Sequence, residues 1–365
     1  MDIIHTDRLE LKPMCMDYSN TIHQKWCIVQ QGGYMNSRKI VTGIIFIVAG
    51  LAFAGLGIWV QFIRNSGYVP ARAEITKIEM SESIKIETVK TDDFEMDYFK
   101  FGQGKDTMVI IPGLSVDGVM KYADAVAGAY APMTEDFTIY VFERRKNLPE
   151  NYSVYDMARD TASAIRELGL KDIYLFGASQ GGMISMVIAI EEPELVKKMV
   201  LGSTASCVDD VQYRKAVGEW VKFAKEGKTE ELYLSFGEAV YPKEVFEASR
   251  EALKEGAKSV TEEDLSRFVI LAEAVKGFDV SNRFTNIACP VLVLGSKDDV
   301  VLGGEASEAL FESLKDRPDC ELYMYEGYGH AAYDLAPDYK DRMLGFLREE
   351  HAKQKLYGII RITGQ

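Results

Sequence analysis

The chain has no excess of basic charge and little cysteine. Each shortage argues against particular partners or kinds of site. Its 365 residues include 42 Lys and Arg against 56 Asp and Glu, a net charge of −14. Such a balance argues against nucleic acid as a partner. The five cysteines, Cys15, Cys27, Cys207, Cys289 and Cys320, are scattered, odd in number and without C-x-x-C spacing. The sequence therefore predicts neither a disulfide framework nor a zinc site.

The longest uncharged run of the chain lies near its N-terminus. Residues 40–63 form 24 consecutive uncharged positions, preceded by Arg38 and Lys39 and closed by Arg64. At about 1.5 Å per residue, a helix of this length crosses the bilayer core with some tilt. We predict that residues 35–64 form a signal anchor with one transmembrane helix.

Two alternatives to an uncleaved anchor are a buried core helix and a cleaved signal peptide, for which residues 71–73 offer a cleavage site. Residues 1–34 are polar and patternless, and Met35 begins a complete signal anchor. Our hypothesis is that residues 1–34 are an upstream extension from a misassigned start codon. The short basic tail favours an N-terminus inside and the bulk of the chain outside the cytoplasm. Residues 65–82 are predicted to be a linker.

From residue 83 onwards, strand patterns alternate with helical patterns. An alternating strand at 84–89 and a second at 94–101, joined by a short link, predict an antiparallel start. Buried strands follow at 107–111, at 137–142, from 173, at 196–201, at 290–294 and at 320–325. This alternation predicts an α/β fold with a mainly parallel sheet that is covered on both faces.

Strand patterns disappear between residues 205 and 285. Aromatic and aliphatic residues stand at helical spacing among charges there, over a length too great for a loop of a compact domain. We predict an inserted helical subdomain whose apolar stripe packs internally and in part could line a pocket. Residues 353–365 form a C-terminal tail for which the sequence predicts no structure.

A G-x-S-x-G motif, formed by Gly177, Ser179 and Gly181, stands between a buried strand and a buried helix. So tight a turn strains the serine backbone and leaves no room for side chains at the flanking glycines. The serine oxygen then projects from the carboxyl edge of the sheet. The N–H of Gln180, at the helix N-terminus, can face a developing negative charge. The alternative is a glycine-rich turn with a passive serine.

A reactive serine needs a base. Of the four histidines, His5 and His23 precede the uncharged run, and His351 stands in a charged helical segment. His330 follows the last predicted strand in a glycine-rich loop, so it is the candidate base. On its own, a histidine in such a loop is as well explained as a surface residue.

The base in turn needs an acid that orients it. Asp298 lies just beyond a strand end and is the candidate, with Asp299 as the alternative. The order Ser179, Asp298, His330 is the order of nucleophile, acid and base in one fold. With these motifs the chain resembles the α/β-hydrolase family over about residues 83–352.

The resemblance implies an α/β-hydrolase fold with a helical cap at 205–285. It also implies that the backbone N–H groups of Leu114 and Gln180 form an oxyanion hole, because Leu114 follows the first glycine motif of the family. It favours Asp298 over Asp299, because the family usually places the acid three residues past the glycine.

Two positions depart from the family pattern. Pro112 stands where the family usually has histidine, and residues 143–146 replace its Asp-x-Arg-Gly turn. A serine nucleophile, where those enzymes use aspartate, disfavours dehalogenase and epoxide hydrolase chemistry.

The sequence therefore predicts a membrane-anchored serine hydrolase that acts on small carboxylic esters through an acyl-enzyme, with no metal or organic cofactor. The same serine could instead serve acyl transfer, peptide cleavage or cofactor-free peroxidation. A catalytically silent binding protein of this fold is a further alternative. The acyl and alcohol groups of the substrate are not encoded in any motif.

Overall fold

The computed structural model describes residues 29–30, 33–34, 83–215 and 217–349. The first two pairs form a short antiparallel ladder, Val29–Gln30 with Gly33–Tyr34. The predicted anchor at residues 35–64, the linker at 65–82 and the tail at 353–365 lie outside the described residues. Within the described ranges, no helix is long and apolar enough to cross a membrane.

An eight-stranded sheet forms the centre of the domain. Its strands are β1 (Ile86–Lys90), β2 (Glu95–Phe101), β3 (Asp106–Ile111), β4 (Phe137–Arg145), β5 (Ile173–Ala178), β6 (Val196–Gly202), β7 (Val291–Ser296) and β8 (Cys320–Tyr325). Their spatial order is β8-β7-β6-β5-β3-β4-β2-β1. The pairs β1–β2 and β2–β4 are antiparallel and all other pairs are parallel. The predicted antiparallel start and parallel continuation are confirmed.

Helices flank the sheet and also form a group between β6 and β7. The flanking helices are α1 (Ala123–Ala129), α2 (Val154–Glu167), α3 (Gln180–Glu191), α9 (Ala306–Glu312), α10 (Ala332–Leu335) and α11 (Tyr339–Arg348). The group between β6 and β7 comprises α4 (Asp210–Lys215), α5 (Val217–Lys225), α6 (Thr229–Val240), α7 (Lys243–Ala257) and α8 (Glu262–Glu273). We call these five helices the cap.

Both faces of the sheet are buried, as the continuous apolar strands predict. Leu175 and Phe176 are neighbours on β5, and their side chains belong to separate apolar clusters on opposite faces. The first cluster includes α2 and α3, and the second includes α1 and α11. Helix α3 is buried from Gln180 to Ile190, because it is covered by the sheet on one side and by other elements around it.

The parallel strands bring their carboxyl ends to one edge of the sheet. The loop after β3 carries Leu114, the turn after β5 carries Ser179, and the loop after β7 carries Asp298 and Asp299. His330 follows β8. Loops at the carboxyl edge of a parallel sheet form the usual ligand site of such folds, so the candidate residues gather there.

Candidate active site

Ser179 occupies a backbone conformation that a residue with a side chain rarely adopts. Its torsion angles are φ 52° and ψ −122°. The neighbouring elements hold it there: its N–H donates to the carbonyl of Gly202 at 2.8 Å, and the Thr204 hydroxyl donates to its carbonyl at 2.7 Å. Strain of this kind persists only where surrounding bonds determine the conformation, and it concentrates at functional sites.

Side chains are excluded at both flanking glycines, as the motif predicts. A Cβ on Gly177 would lie 2.3 Å from the carbonyl oxygen of Gly181. A Cβ on Gly181 would lie 2.0 Å from the carbonyl oxygen of Ile111, at the end of β3. The turn can therefore form only if both positions lack a side chain.

The loop after β3 packs directly against the serine. A Cβ on Gly113 would lie 3.2 Å from Ser179 Cβ and 3.8 Å from its Oγ. Gln180 is the first residue of α3, so its N–H has no partner within the helix. Leu114, Ser179 and Gln180 line one cavity. These residues are thus gathered where an oxyanion hole would form.

His330 is held by a neighbouring carboxylate. Its Nδ1–H donates to Asp299 Oδ2 at 2.8 Å, and only 3% of His330 and 6% of Asp299 are exposed. The other Asp299 oxygen accepts the N–H groups of Val301 at 2.8 Å and Leu302 at 3.1 Å. With Nδ1–H directed at Asp299, Nε2 is the imidazole atom that can accept a proton.

The turn that carries His330 also touches the cap. His330 lies in a 3₁₀ turn, Gly329–Ala331, after β8. Gly329 has a φ of +59°, and a Cβ there would lie 3.0 Å from the carbonyl oxygen of Val240 at the end of α6. The cap backbone and the histidine turn are therefore in close contact.

The His330 imidazole is hydrogen-bonded to Asp299 and not to Asp298, so the expected pairing is corrected. Its two oxygens accept the N–H groups of Gly327 at 2.9 Å and Gly329 at 2.8 Å. Partial burial opposes its ionisation, but these backbone donors outweigh burial and hold the pKa of Asp298 below its ordinary value. The structure places Asp299, the alternative, against the imidazole. Asp298 instead binds the backbone of the loop that precedes His330.

Ser179 and His330 line the same cavity, whose volume is about 40 Å³. Within the described part of the chain, their side chains form no hydrogen bond with each other. Such bonds are often long before substrate binds. Apart from Ser179, Gln180 and His330, the described lining is Leu114, Met183, Val208, Val217, Trp220, Phe236, Val240, Val275, Val301, Leu302 and Tyr333. The cavity is therefore small and mostly apolar.

Arg144 is a buried residue of the site that the sequence analysis missed. Only 2% of it is exposed, and its Nη2 donates to the Pro112 carbonyl at 2.8 Å and to Gln180 Oε1 at 3.1 Å. Burial lowers its pKa to about 10, against the opposing effect of Glu143, so it stays charged at neutral pH. Residues 143–146 depart from the family pattern in sequence, but the burial of Arg144 among them follows only from the fold.

A further acidic residue, Asp334, lies near His330. Burial raises the pKa of Asp334 to about 6, although Lys340 and His330 favour its charged form. The Tyr333 ring stands edge-on to His330, with 6.1 Å between ring centroids.

In the part of the chain that the structure describes, no group of three or more His, Cys, Asp or Glu residues could hold a metal ion.

Comparison with known proteins identifies the family. The model of the family described as "Serine aminopeptidase, S33" matches residues 150–334, just over half of the 365-residue chain. The chain belongs to this family of α/β-hydrolases. The matched segment includes Ser179, Asp299 and His330, and the predicted α/β-hydrolase fold is confirmed.

Curated relatives and solved structures agree with the family. A protein of Cronobacter sakazakii named "Putative carbamate hydrolase RutD" is 27% identical over 255 residues, which is 64% of this chain and 87% of that protein. Its namesake in Agrobacterium fabrum is 26% identical over 229 residues, with coverage of 59% and 84%. An α/β-hydrolase enzyme from a Medee basin deep-sea metagenome library is similar in structure, with a TM-score of 0.64, 19% identity and coverage of 72% and 98%. At that identity the structural likeness concerns the fold alone.

The two neighbouring aspartates give opposite expectations on substitution. We expect Asp299→Asn to lower kcat for an activated ester by about 10⁴-fold, because an amide no longer selects the productive His330 tautomer. We expect Asp298→Asn to lower kcat less than about tenfold, since one amide oxygen still accepts a backbone N–H. Steady-state kinetics on both purified variants, with circular dichroism as the check on folding, measures the difference. If Asp298→Asn proves the more damaging change, the assignment of Asp299 is wrong.

Proposed function

We propose that this protein is a serine hydrolase that cleaves small, uncharged carboxylic esters through an acyl-enzyme. The proposal depends on one observation. The strained Ser179 shares a small apolar cavity with His330, and His330 is hydrogen-bonded to a buried carboxylate, that of Asp299. This is the arrangement of nucleophile, base and acid that serine acyl transfer requires.

In the proposed mechanism, His330 Nε2 takes the proton of Ser179 Oγ as that oxygen attacks the ester carbonyl. Asp299 holds the imidazole and stabilises its positive charge. The N–H groups of Leu114 and Gln180 bind the oxyanion, and loss of one such donor typically costs about 10²–10³ in rate. His330 then gives its proton to the departing alcohol. A water molecule, activated in the same way, releases the acid.

The lining of the cavity favours neutral substrates. Among the described residues that line it, none is Asp, Glu, Lys or Arg. An aminopeptidase has to bind the ammonium group at the start of a peptide, and in an apolar cavity an unpaired charge is strongly disfavoured. An ester with a short aliphatic acyl group carries no charge, so it avoids this cost. The small volume supports the same conclusion.

Carbamates are the second candidate. The curated relatives carry the name of a carbamate hydrolase, and a small carbamate is uncharged and presents a carbonyl to the same serine. Its carbonyl is less electrophilic than that of an ester, so ester cleavage remains the first choice.

A fluorophosphonate probe tests the nucleophile. We expect the wild-type protein to be labelled and Ser179→Ala to remain unlabelled, because the probe traps only an activated serine. We expect p-nitrophenyl acetate or butyrate to give the highest kcat/KM in a series of rising acyl length, and to exceed a matched p-nitrophenyl carbamate. Equal labelling of both proteins would contradict the proposed nucleophile, and a preference for the carbamate would favour the second candidate.

Phe236 is expected to limit acyl length. Its ring lines the cavity and stacks on Trp220 with 4.4 Å between centroids. We expect Phe236→Ala to shift the preferred p-nitrophenyl ester towards longer chains and to cost about 3–5 kcal/mol in free energy of unfolding. Phe246→Ala is the control, because Phe246 is buried in the cap and does not line the cavity. An unchanged chain-length profile in Phe236→Ala, or an equal shift in the control, would contradict this role.

We also propose that residues 40–63 anchor the protein in a membrane, with the hydrolase domain outside the cytoplasm. The support is the length of this uncharged run, 24 residues, and the basic residues before it. We expect the full chain to stay in the membrane pellet after carbonate extraction and a chain starting at residue 65 to be released. Protease added to intact cells or spheroplasts should then digest the domain. Recovery of the full chain in the supernatant would contradict the anchor.

A further inference from the structure

We propose that Arg144 is a positioning residue, which together with the side chain of Gln180 sets the geometry of the oxyanion hole. The inference rests on the proposed function, because it assigns the residues that hold the loop bearing Leu114. Neither the guanidinium of Arg144 nor the amide of Gln180 takes part in the proton transfers described above.

The first step concerns the loop after β3. The N–H of Leu114 follows Gly113, whose missing side chain leaves its torsions weakly restricted. Arg144 Nη2 donates to the carbonyl of Pro112, the residue before that glycine, at 2.8 Å. A charged donor makes a strong hydrogen bond, and at this burial it competes with little water. The bond therefore fixes the peptide plane between Pro112 and Gly113. The N–H of Leu114, the expected oxyanion donor of this loop, belongs to the next peptide along the chain.

The second step concerns the other donor. The same Arg144 Nη2 donates to Gln180 Oε1 at 3.1 Å, and Gln180 Nε2 donates to the Leu271 carbonyl at 2.6 Å. Leu271 lies in the last turn of α8, where carbonyls lack partners within the helix. The two bonds define which way the amide points. One guanidinium group thus holds the residues on both sides of the expected oxyanion.

A second arginine provides a matched control. Arg267 of α8 donates from Nη1 to the Arg145 carbonyl at 3.0 Å, and from Nη2 to the Arg144 carbonyl at 3.1 Å and to Glu143 Oε1 at 3.3 Å. It joins the cap to the end of β4 but bonds to neither Pro112 nor Gln180. Its removal therefore weakens the junction between cap and sheet and leaves both oxyanion supports in place.

The experiment compares Arg144→Met, Gln180→Met and Arg267→Met in the full chain. Gln180→Met keeps the backbone N–H and loses only the amide. We expect Arg144→Met and Gln180→Met to lower kcat for p-nitrophenyl butyrate by about 10–100-fold with KM changed less than about threefold, because an oxyanion hole acts mainly in the transition state. Arg267→Met is expected to lower the melting temperature and leave kcat within about threefold, since it touches no oxyanion donor.

The second readout separates positioning from general damage. A thionoester carries sulfur, which is larger than oxygen and a weaker hydrogen-bond acceptor, so it gains little from the hole. The ratio of kcat for the oxygen ester to kcat for its thionoester should fall at least about fivefold in Arg144→Met and Gln180→Met. It should stay unchanged in Arg267→Met. Unchanged ratios in both test variants, or the same fall in the control, overturn the proposal.

Two failures of the experiment remain informative. If Arg144→Met does not fold, Gln180→Met decides by the same ratio. If the wild type shows no hydrolysis that depends on Ser179, the proposed function fails, and hydrogen exchange of the peptide covering residues 112–118 decides the positioning role alone. Faster exchange of that peptide in Arg144→Met than in Arg267→Met supports the role, because only Arg144→Met removes the bond to the Pro112 carbonyl, and equal exchange overturns it.

Discussion

The site depends on how closely two stretches of backbone can approach each other. The first turn of α3 reaches the end of β3 because Gly181 has no side chain; a Cβ there would lie 2.0 Å from the Ile111 carbonyl oxygen. That approach places the strained Ser179 beside the loop that follows β3, and the bonds from Gly202 and Thr204 keep it there. A larger residue at position 181 would separate Ser179, the proposed nucleophile, from the loop that carries Leu114.

Electrostatic order around the serine comes from pairing each buried charge with fixed partners. Asp299 has two backbone N–H donors and one imidazole, and Arg144 has a carbonyl and an amide oxygen. Rotation of either side chain would break these bonds in a buried environment, so the bonds restrict its geometry. Apolar side chains of the cap line the same cavity, so the carbonyl of a bound substrate would meet the proposed donors without their reorganisation.

Much of this arrangement was predictable from sequence because it follows from local patterns. Continuous apolar runs predicted the buried strands, and the strand-to-helix context of Ser179 predicted the sharp turn. His330 could be selected because the other three histidines stand in unsuitable segments. Each of these inferences uses residues that are close together in the chain or an elimination among few candidates.

The rest depends on contacts between distant segments. Asp298 and Asp299 are adjacent in the chain, but they have different partners. The N–H groups of Gly327 and Gly329 occupy both oxygens of Asp298, and Asp299 bonds the imidazole. The number of residues between the acid and the preceding glycine does not reveal these backbone hydrogen bonds. Arg144 was unpredictable for the same reason, since its partners Pro112 and Gln180 are 32 and 36 positions away. Charged residues in a turn are usually solvated, and only the packed fold shows the exception.

The contact between Gly329 and the carbonyl of Val240 constrains how such an enzyme can change its substrate. The last turn of α6 contacts the segment that carries His330, the proposed general base. The cap is therefore part of the proposed catalytic framework as well as of the cavity lining. New substrate preferences can arise by substitution of single side chains of the cap that face the cavity. Transplanting the whole insertion from a relative would succeed only where the donor's backbone reproduces that single point of support.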